Sequence, residues 1–328
     1  MYEKGLCYYI GKLLYPLLNF FFKVTINGAY IILVGFLSGY PIGAKVIGEM
    51  VSSGNISKAE GKYLITFCNN TSISFLINYI ICTCLKSSLP VLGDTKLTTF
   101  SVARCVPWFS AAGLTIGFLT TGLSLLAGLF FRGVVPPLFQ ALAAGFVWCA
   151  AEIIISRALH WDGLSDLADA LGSSRDGEGF WQVLKDSRVG SFGALAMVCV
   201  FAGQVIACSA HAARGDILAL VLAPAASRCL AALPFCYVAP HNPKSLGGRF
   251  SGGGTAGTKR LSYCLLAIML ALCAAAGVSA TGLALLVSSC ALLLLFIIRT
   301  ARRQGGISGD FIGATIEAGQ LLVLIFSF

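Results

Sequence analysis

The chain has 328 residues, 57% of them hydrophobic and only 11% charged, with a mean hydropathy of +0.85. A soluble domain carries about 45–50% apolar and about 25% charged residues, so this composition excludes an ordinary soluble enzyme or binding module. In such a chain the formal charge of +9 reads as Lys and Arg that orient membrane helices rather than as a nucleic-acid surface.

In chain order, the start Met1-Tyr-Glu-Lys4 lacks a small-residue cleavage site after a short apolar core, so no removable signal peptide is expected. Residues 1–90 form a first piece carrying Gly39-Tyr-Pro-Ile-Gly-Ala-Lys45, Ile56-Ser-Lys-Ala-Glu60 and Phe67-Cys-Asn-Asn-Thr71. Glycine and proline inside an apolar stretch predict a broken or re-entrant helix. Asn69 and Asn70 then read either as a polar solute site or as helix-packing amides. The stretch Leu89 to Thr99 has linker composition, and the linker is set at residues 91–101.

Residues 102–328 form the second piece. Apolar runs at Phe109 to Phe131, Val134 to Leu159, Gly190 to Ala213, Ile217 to Val238 and Thr281 to Ile298 approach the roughly 20 residues that cross a bilayer. They lack the alternating polarity of an outer-membrane barrel. The fold class is therefore all-α, a polytopic helical membrane protein. Positive charge alternates between rich and poor loops, which places the rich loops on the cytoplasmic side. That alternation requires two spans between Leu261 and Ile298, broken near Gly277. The thirteen cysteines contain no CxxC pair and read as small buried residues rather than a disulfide framework or zinc site.

The densest chemistry lies in His160-Trp-Asp-Gly-Leu-Ser-Asp-Leu-Ala-Asp169. On a helix, Asp162, Asp166 and Asp169 fall at i, i+4 and i+7 and share one face. Three like charges on one face call for a cation, and hard oxygen donors suit Mg²⁺ shared with a substrate phosphate. Lys185, Arg188 and Arg175 are candidates to hold phosphates, with Asp186 a further ligand or a base. His160 reads either as a base for an attacking hydroxyl or as an interfacial neighbour of Trp161, whereas His211 and His241 read as structural. Leu246-Gly-Gly-Arg-Phe-Ser-Gly-Gly-Gly254 reads as a flexible loop or as a phosphate cradle that includes Arg249. Gly305-Gly-Ile-Ser-Gly-Asp-Phe-Ile-Gly313 leads into the last apolar run, where Asp310 and Glu317 share a helix face. An acid such as Glu317 inside an apolar run marks a functional site by default.

These motifs, together with Leu184-Lys-Asp-Ser-Arg-Val-Gly-Ser-Phe-Gly193 and Ser227-Arg228, resemble the cobalamin synthase family, adenosylcobinamide-GDP ribazoletransferase, from about Val102 to the C-terminus. The resemblance implies an Mg²⁺-dependent enzyme of the bacterial cytoplasmic membrane, its active-site loops facing the cytoplasm. Its substrates would be adenosylcobinamide-GDP and α-ribazole or its 5′-phosphate, and GMP would leave. It implies Asp162, Asp166 and Asp169 as metal ligands, with Lys185, Asp186 and Arg188 completing the nucleotide site. A homo-oligomer is compatible with this reading, and a nucleic-acid partner is not expected. One departure is Ala170, where family members usually have Gly. Residues 1 to about 90 resemble a fragment of the nucleoside-recognition (gate) domain of sporulation integral membrane proteins. Two alternatives stay open at this point: a transporter of a nucleoside or corrinoid, and a CDP-alcohol phosphotransferase acting on lipid.

Overall fold

The computed structural model describes residues 15, 16, 18, 19, 22–38, 42–68, 106, 108–186 and 188–328. The Gly39–Pro41 break, Asn69, Asn70 and the linker at 91–101 lie outside them. Among the described residues every regular element is helical, apart from one isolated bridge between Pro240 and Ile307. The chain divides into two compact units, Met1–Leu76 and Ile77–Phe328.

In the first unit α1 (Ile26–Ser38), α2 (Ile42–Ser52) and α3 (Lys58–Cys68) close over Phe22, Ile31, Ile32, Ile47 and Leu64. Glu60 of α3 ties the start of α1. Its Oε1 accepts from the Thr25 N–H at 2.8 Å and the Thr25 hydroxyl at 2.9 Å.

In the second unit seven helices are long and apolar enough to cross a membrane. They are α4 (Phe109–Phe130), α5 (Pro137–Ser156), α8 (Ser191–Arg214), α9 (Ile217–Ala232, its span continued to Cys236 by a 3-10 turn), α11 (Ala256–Ala275), α12 (Ala280–Arg303) and α13 (Gly309–Phe326). Between them lie the shorter α6 (Leu159–Gly172), α7 (Glu178–Leu184) and α10 (Leu246–Ser251). The break expected near Gly277 is present. Gly277 adopts φ 93°, which only glycine takes cheaply. The Ser279 hydroxyl accepts the Gly282 N–H at 3.0 Å and caps α12.

Helix α9 is central, with Ala219 to Ala232 all buried. It can sit there because α4 meets it with glycines. A Cβ at Gly113 or Gly117 would overlap the carbonyls of Pro224 and Val221. Gly145 does the same for α5 against Ser209 of α8. Small residues of this kind let membrane helices approach closely, where lipid removes the hydrophobic drive to associate. The outer faces of the bundle are apolar, for example Leu126, Phe139, Val198 and Leu292. Such faces suit contact with lipid tails.

Candidate active site

Helix α6 carries the aspartates. It leaves α5 through Arg157 and Ala158, both left-handed at φ 55°, a conformation costing about 1–3 kcal/mol per non-glycine residue. This turn fixes which way α6 faces. Trp161, Leu164 and Leu167 pack into a core shared with Phe180 and Phe311. The opposite face presents Asp162, exposed, with Asp166 and Asp169 half-buried. The spacing read from the sequence is thus realised on one helix face.

A fourth carboxylate joins them from α13. Helices α6 and α13 cross at two glycines. A Cβ on Gly163 would stand 2.9 Å from Asp310 Cα, and one on Gly313 would stand 2.9 Å from the His160 carbonyl oxygen. The close crossing sets Asp310 against the aspartate face. Burial, and then repulsion from Asp162, Asp310 and Asp169, pushes the Asp166 carboxyl up to about 7.

Asp169 has a structural duty as well. Its two oxygens accept the N–H of Gly190 at 2.7 Å and of Gly193 at 2.8 Å. The carboxylate therefore caps the N-terminus of α8, where the helix dipole favours negative charge. Beside it the Ser165 hydroxyl is buried and has no hydrogen-bond partner among the described residues. A Cβ on Gly193 would overlap both Ser165 Oγ and Asp169 Oδ2, so the glycine keeps this corner open.

Three loops are tied together at this end of the bundle. The Trp181 indole N–H donates to the Gln304 carbonyl at 2.8 Å, and the Gly177 N–H to Gln304 Oε1 at 2.9 Å. Gln304 Nε2 donates to Asp176 at 2.8 Å, and Arg303 pairs with the same carboxylate at 2.6 Å. Together these two donors hold Asp176 below the usual carboxylate range. The His241 N–H donates to the Ile307 carbonyl and the Ile307 N–H to the Ala239 carbonyl, both at 3.0 Å. Specific bonds therefore join the α6–α7, α9–α10 and α12–α13 connections.

The other candidates fall around this frame. Lys185 ends α7 and stands near His241; burial, then the Lys185 charge, lowers the His241 pKa. His241 stacks on Trp181 with ring centroids 3.7 Å apart. No sequence pattern signals that placement, because the partner ring lies 60 positions away. Arg188 folds back on Asp186, with Nη2 to Oδ2 at 2.7 Å and Nε to Oδ1 at 3.0 Å, and holds that carboxyl down to about 2. Arg249 lies on α10, which meets the start of α13 through Gly247. A Cβ there would stand 2.7 Å from the Gly309 nitrogen. Arg175 lies on the α6–α7 turn and lines a separate cavity with Leu171 and Arg303.

Glu317 lies two helical turns deeper than Asp310, fully buried in the bundle. There it belongs to a network from four helices. Arg228 donates to Glu152 Oε1 at 3.1 Å, and Gln320 donates to Glu152 Oε2 at 2.8 Å. Gln204 donates to Glu317 Oε2 at 3.1 Å and accepts from Gln320 at 3.3 Å. His160 sits between this network and the aspartates. Burial, then the nearby Arg228 cation, lowers its pKa to about 3. So weak a base is poorly matched to accepting a proton near neutral pH, whereas Asp166 at about 7 is well matched.

Among the described residues no three His, Cys, Asp or Glu side chains form a ready-made metal shell. Mg²⁺ does not require one, since it keeps waters and takes one or two carboxylates plus substrate phosphate. The exposed Asp162, the half-buried Asp166 and the crowding of Asp310 onto them fit that partial shell. Lys185, at the end of α7, and Arg249, on α10, are available at the same end as point charges for a phosphate chain. The arrangement can bind a cation, neutralise a pyrophosphate and exchange a proton, which is the chemistry of phosphoryl transfer.

Comparison with known proteins agrees. Residues 74–328 match the family model for cobalamin-5-phosphate synthase. The chain is 37% identical over 244 residues to an adenosylcobinamide-GDP ribazoletransferase of Nitratidesulfovibrio vulgaris (strain DSM 19637 / Miyazaki F), covering 72% of this chain and 92% of the relative. It is 33% identical over 260 residues to one from Syntrophobacter fumaroxidans, covering 77% and 95%. A Brevibacillus brevis relative of the same name is 33% identical, covering 68% and 86%. No solved structure matches this chain.

Proposed function

The chain belongs to the cobalamin-5-phosphate synthase family, and from that premise we propose how its site performs the reaction its relatives are named for. It is an integral membrane enzyme that joins adenosylcobinamide-GDP and ribazole, the last step of cobalamin synthesis. A ribose hydroxyl of α-ribazole attacks the phosphorus attached to the corrinoid. The pyrophosphate bond breaks, and GMP leaves with the bridging oxygen. The family match replaces the transporter and lipid phosphotransferase readings over residues 74–328.

In our reading Asp162 and Asp166, with Asp310 opposite, would hold Mg²⁺ at the pyrophosphate site. Bound there, the ion would neutralise charge building on the leaving phosphate. Asp169 positions α8 rather than donating freely, because both its oxygens already accept backbone N–H groups. Lys185 and Arg249 bind phosphate oxygens. His160, held neutral, sets the start of α6 against α13. The loops face the cytoplasm of the cytoplasmic membrane, as their excess of Lys and Arg favours. The observation that carries the site assignment is the Gly163–Gly313 crossing, which adds Asp310 to the three aspartates of α6.

The test is GMP release by purified protein given adenosylcobinamide-GDP, α-ribazole and Mg²⁺. Asp166→Asn is expected to lower the rate by about 10²-fold or more, comparable to losing one transition-state electrostatic partner. Chelating divalent cations should abolish release from the unaltered protein. Full activity in either arm would remove the metal assignment.

A further inference from the structure

A cavity of about 360 Å³ opens between the α6–α7 turn and the end of α12. Leu171, Phe180 and Phe296 supply apolar wall, while Arg175 and Arg303 stand at its polar side. Leu171 follows Asp162 by nine positions. At 100° per residue it lies on the opposite side of α6 from the carboxylates. The cavity is therefore not the aspartate site.

Its charge balance is positive. Asp176 also lines it, but that carboxylate is already engaged by Arg303 and Gln304. The Arg175 guanidinium is exposed and has no partner among the described residues. A second exposed cation, Arg299, stands one turn before Arg303 on α12.

The approach to the cavity is apolar and faces outward. Along α12, Leu285, Leu292, Phe296, Arg299 and Arg303 recur at i, i+7, i+11, i+14 and i+18, so they form one stripe. Leu285, Leu292 and Phe296 are 46%, 66% and 49% exposed on a membrane-spanning helix. The stripe thus runs from lipid-facing leucines through an interfacial aromatic to two arginines. Basic pockets beside membrane helices at an interface hold anionic head groups, with the acyl chain lying along the apolar face. A soluble nucleotide would gain nothing from such a stripe.

We propose that this cavity binds an anionic phospholipid, its phosphate held by Arg175, Arg299 and Arg303 and one acyl chain laid along Leu285, Leu292 and Phe296. This reading is independent of the transferase assignment. The experiment is native mass spectrometry of the full chain after exchange into nanodiscs of phosphatidylglycerol or phosphatidylcholine, followed by release into detergent. Unaltered protein is expected to retain phosphatidylglycerol in preference to phosphatidylcholine. An exposed arginine near a membrane surface contributes about fivefold in lipid affinity, so Arg175→Gln and Arg299→Gln should each cut retention roughly fivefold and together roughly 25-fold. Both avoid the Arg303–Asp176 pair, and unfolding temperature in the same detergent checks that the fold is intact. Equal retention of the two lipids, or retention unchanged in the double variant, would overturn the proposal. Displacement of the lipid by millimolar inorganic phosphate, with no dependence on acyl-chain length, would also overturn it, since the site would then recognise free phosphate.

Discussion

The Asp166 carboxyl is held up to about 7 by burial and three neighbouring acids, against 3.8 for a free side chain. Between those values the folded, metal-free protein keeps a proton that the unfolded chain has lost. Stability of the metal-free protein should therefore fall as pH rises from 3.8 to about 7, and level off above. Solvent reaches half of the group, which shallows the slope. Thermal unfolding in detergent, with divalent cations chelated, measures it. Asp166→Asn should flatten the curve, and an unchanged slope would assign it to other groups. At this scale the sequence was legible where chemistry lies on one helix: the i, i+4, i+7 spacing put Asp162, Asp166 and Asp169 together. It named Asp310 only as sharing a helix face with Glu317 and read His241 as structural, because their places beside the aspartates and on Trp181 depend on crossings between segments 60 to 150 positions apart. It also could not show that Asp169 spends both oxygens on Gly190 and Gly193.

Gly163 and Gly313 set the distance between α6 and α13. Their would-be Cβ atoms meet backbone, which cannot rotate away. Gly163→Val should force the helices apart at a cost of about 1–3 kcal/mol, as overpacking does. It should also lower GMP release by separating Asp310 from the aspartate face. A variant as stable and as active as the parent would show that the crossing is looser than drawn. The long helices themselves were readable, because about 20 apolar residues bounded by charge leave few alternatives. The break at Gly277 was readable too, from loop-charge parity and one glycine. The short α7 and α10 were not read as helices, since they belong neither to the bilayer core nor to a simple loop.

Across the whole bundle, Glu152, Gln204, Arg228, Glu317 and Gln320 bind four membrane helices through side chains that are at most 3% exposed. Sequence pattern flagged Glu317 as an acid in an apolar run but gave no partner, because the partners lie on three other helices. Removing one member of a buried ion pair typically costs about 3–5 kcal/mol, as the remaining charge loses its compensation. Arg228→Met should destabilise the protein by that order, and adding Glu152→Gln should recover part of the loss. Unfolding temperature across this double-mutant cycle reads the coupling, and strictly additive losses would deny it. Among the loops, the paired bonds between Ala239, His241 and Ile307 make a clasp of two amides in otherwise irregular chain. Those two amides carry a clock. In deuterated solvent His241 and Ile307 should exchange far more slowly than their neighbours, at a rate set by how often the loops part. Bound nucleotide that draws the loops together should slow them further, so two backbone hydrogens would time the opening of the site.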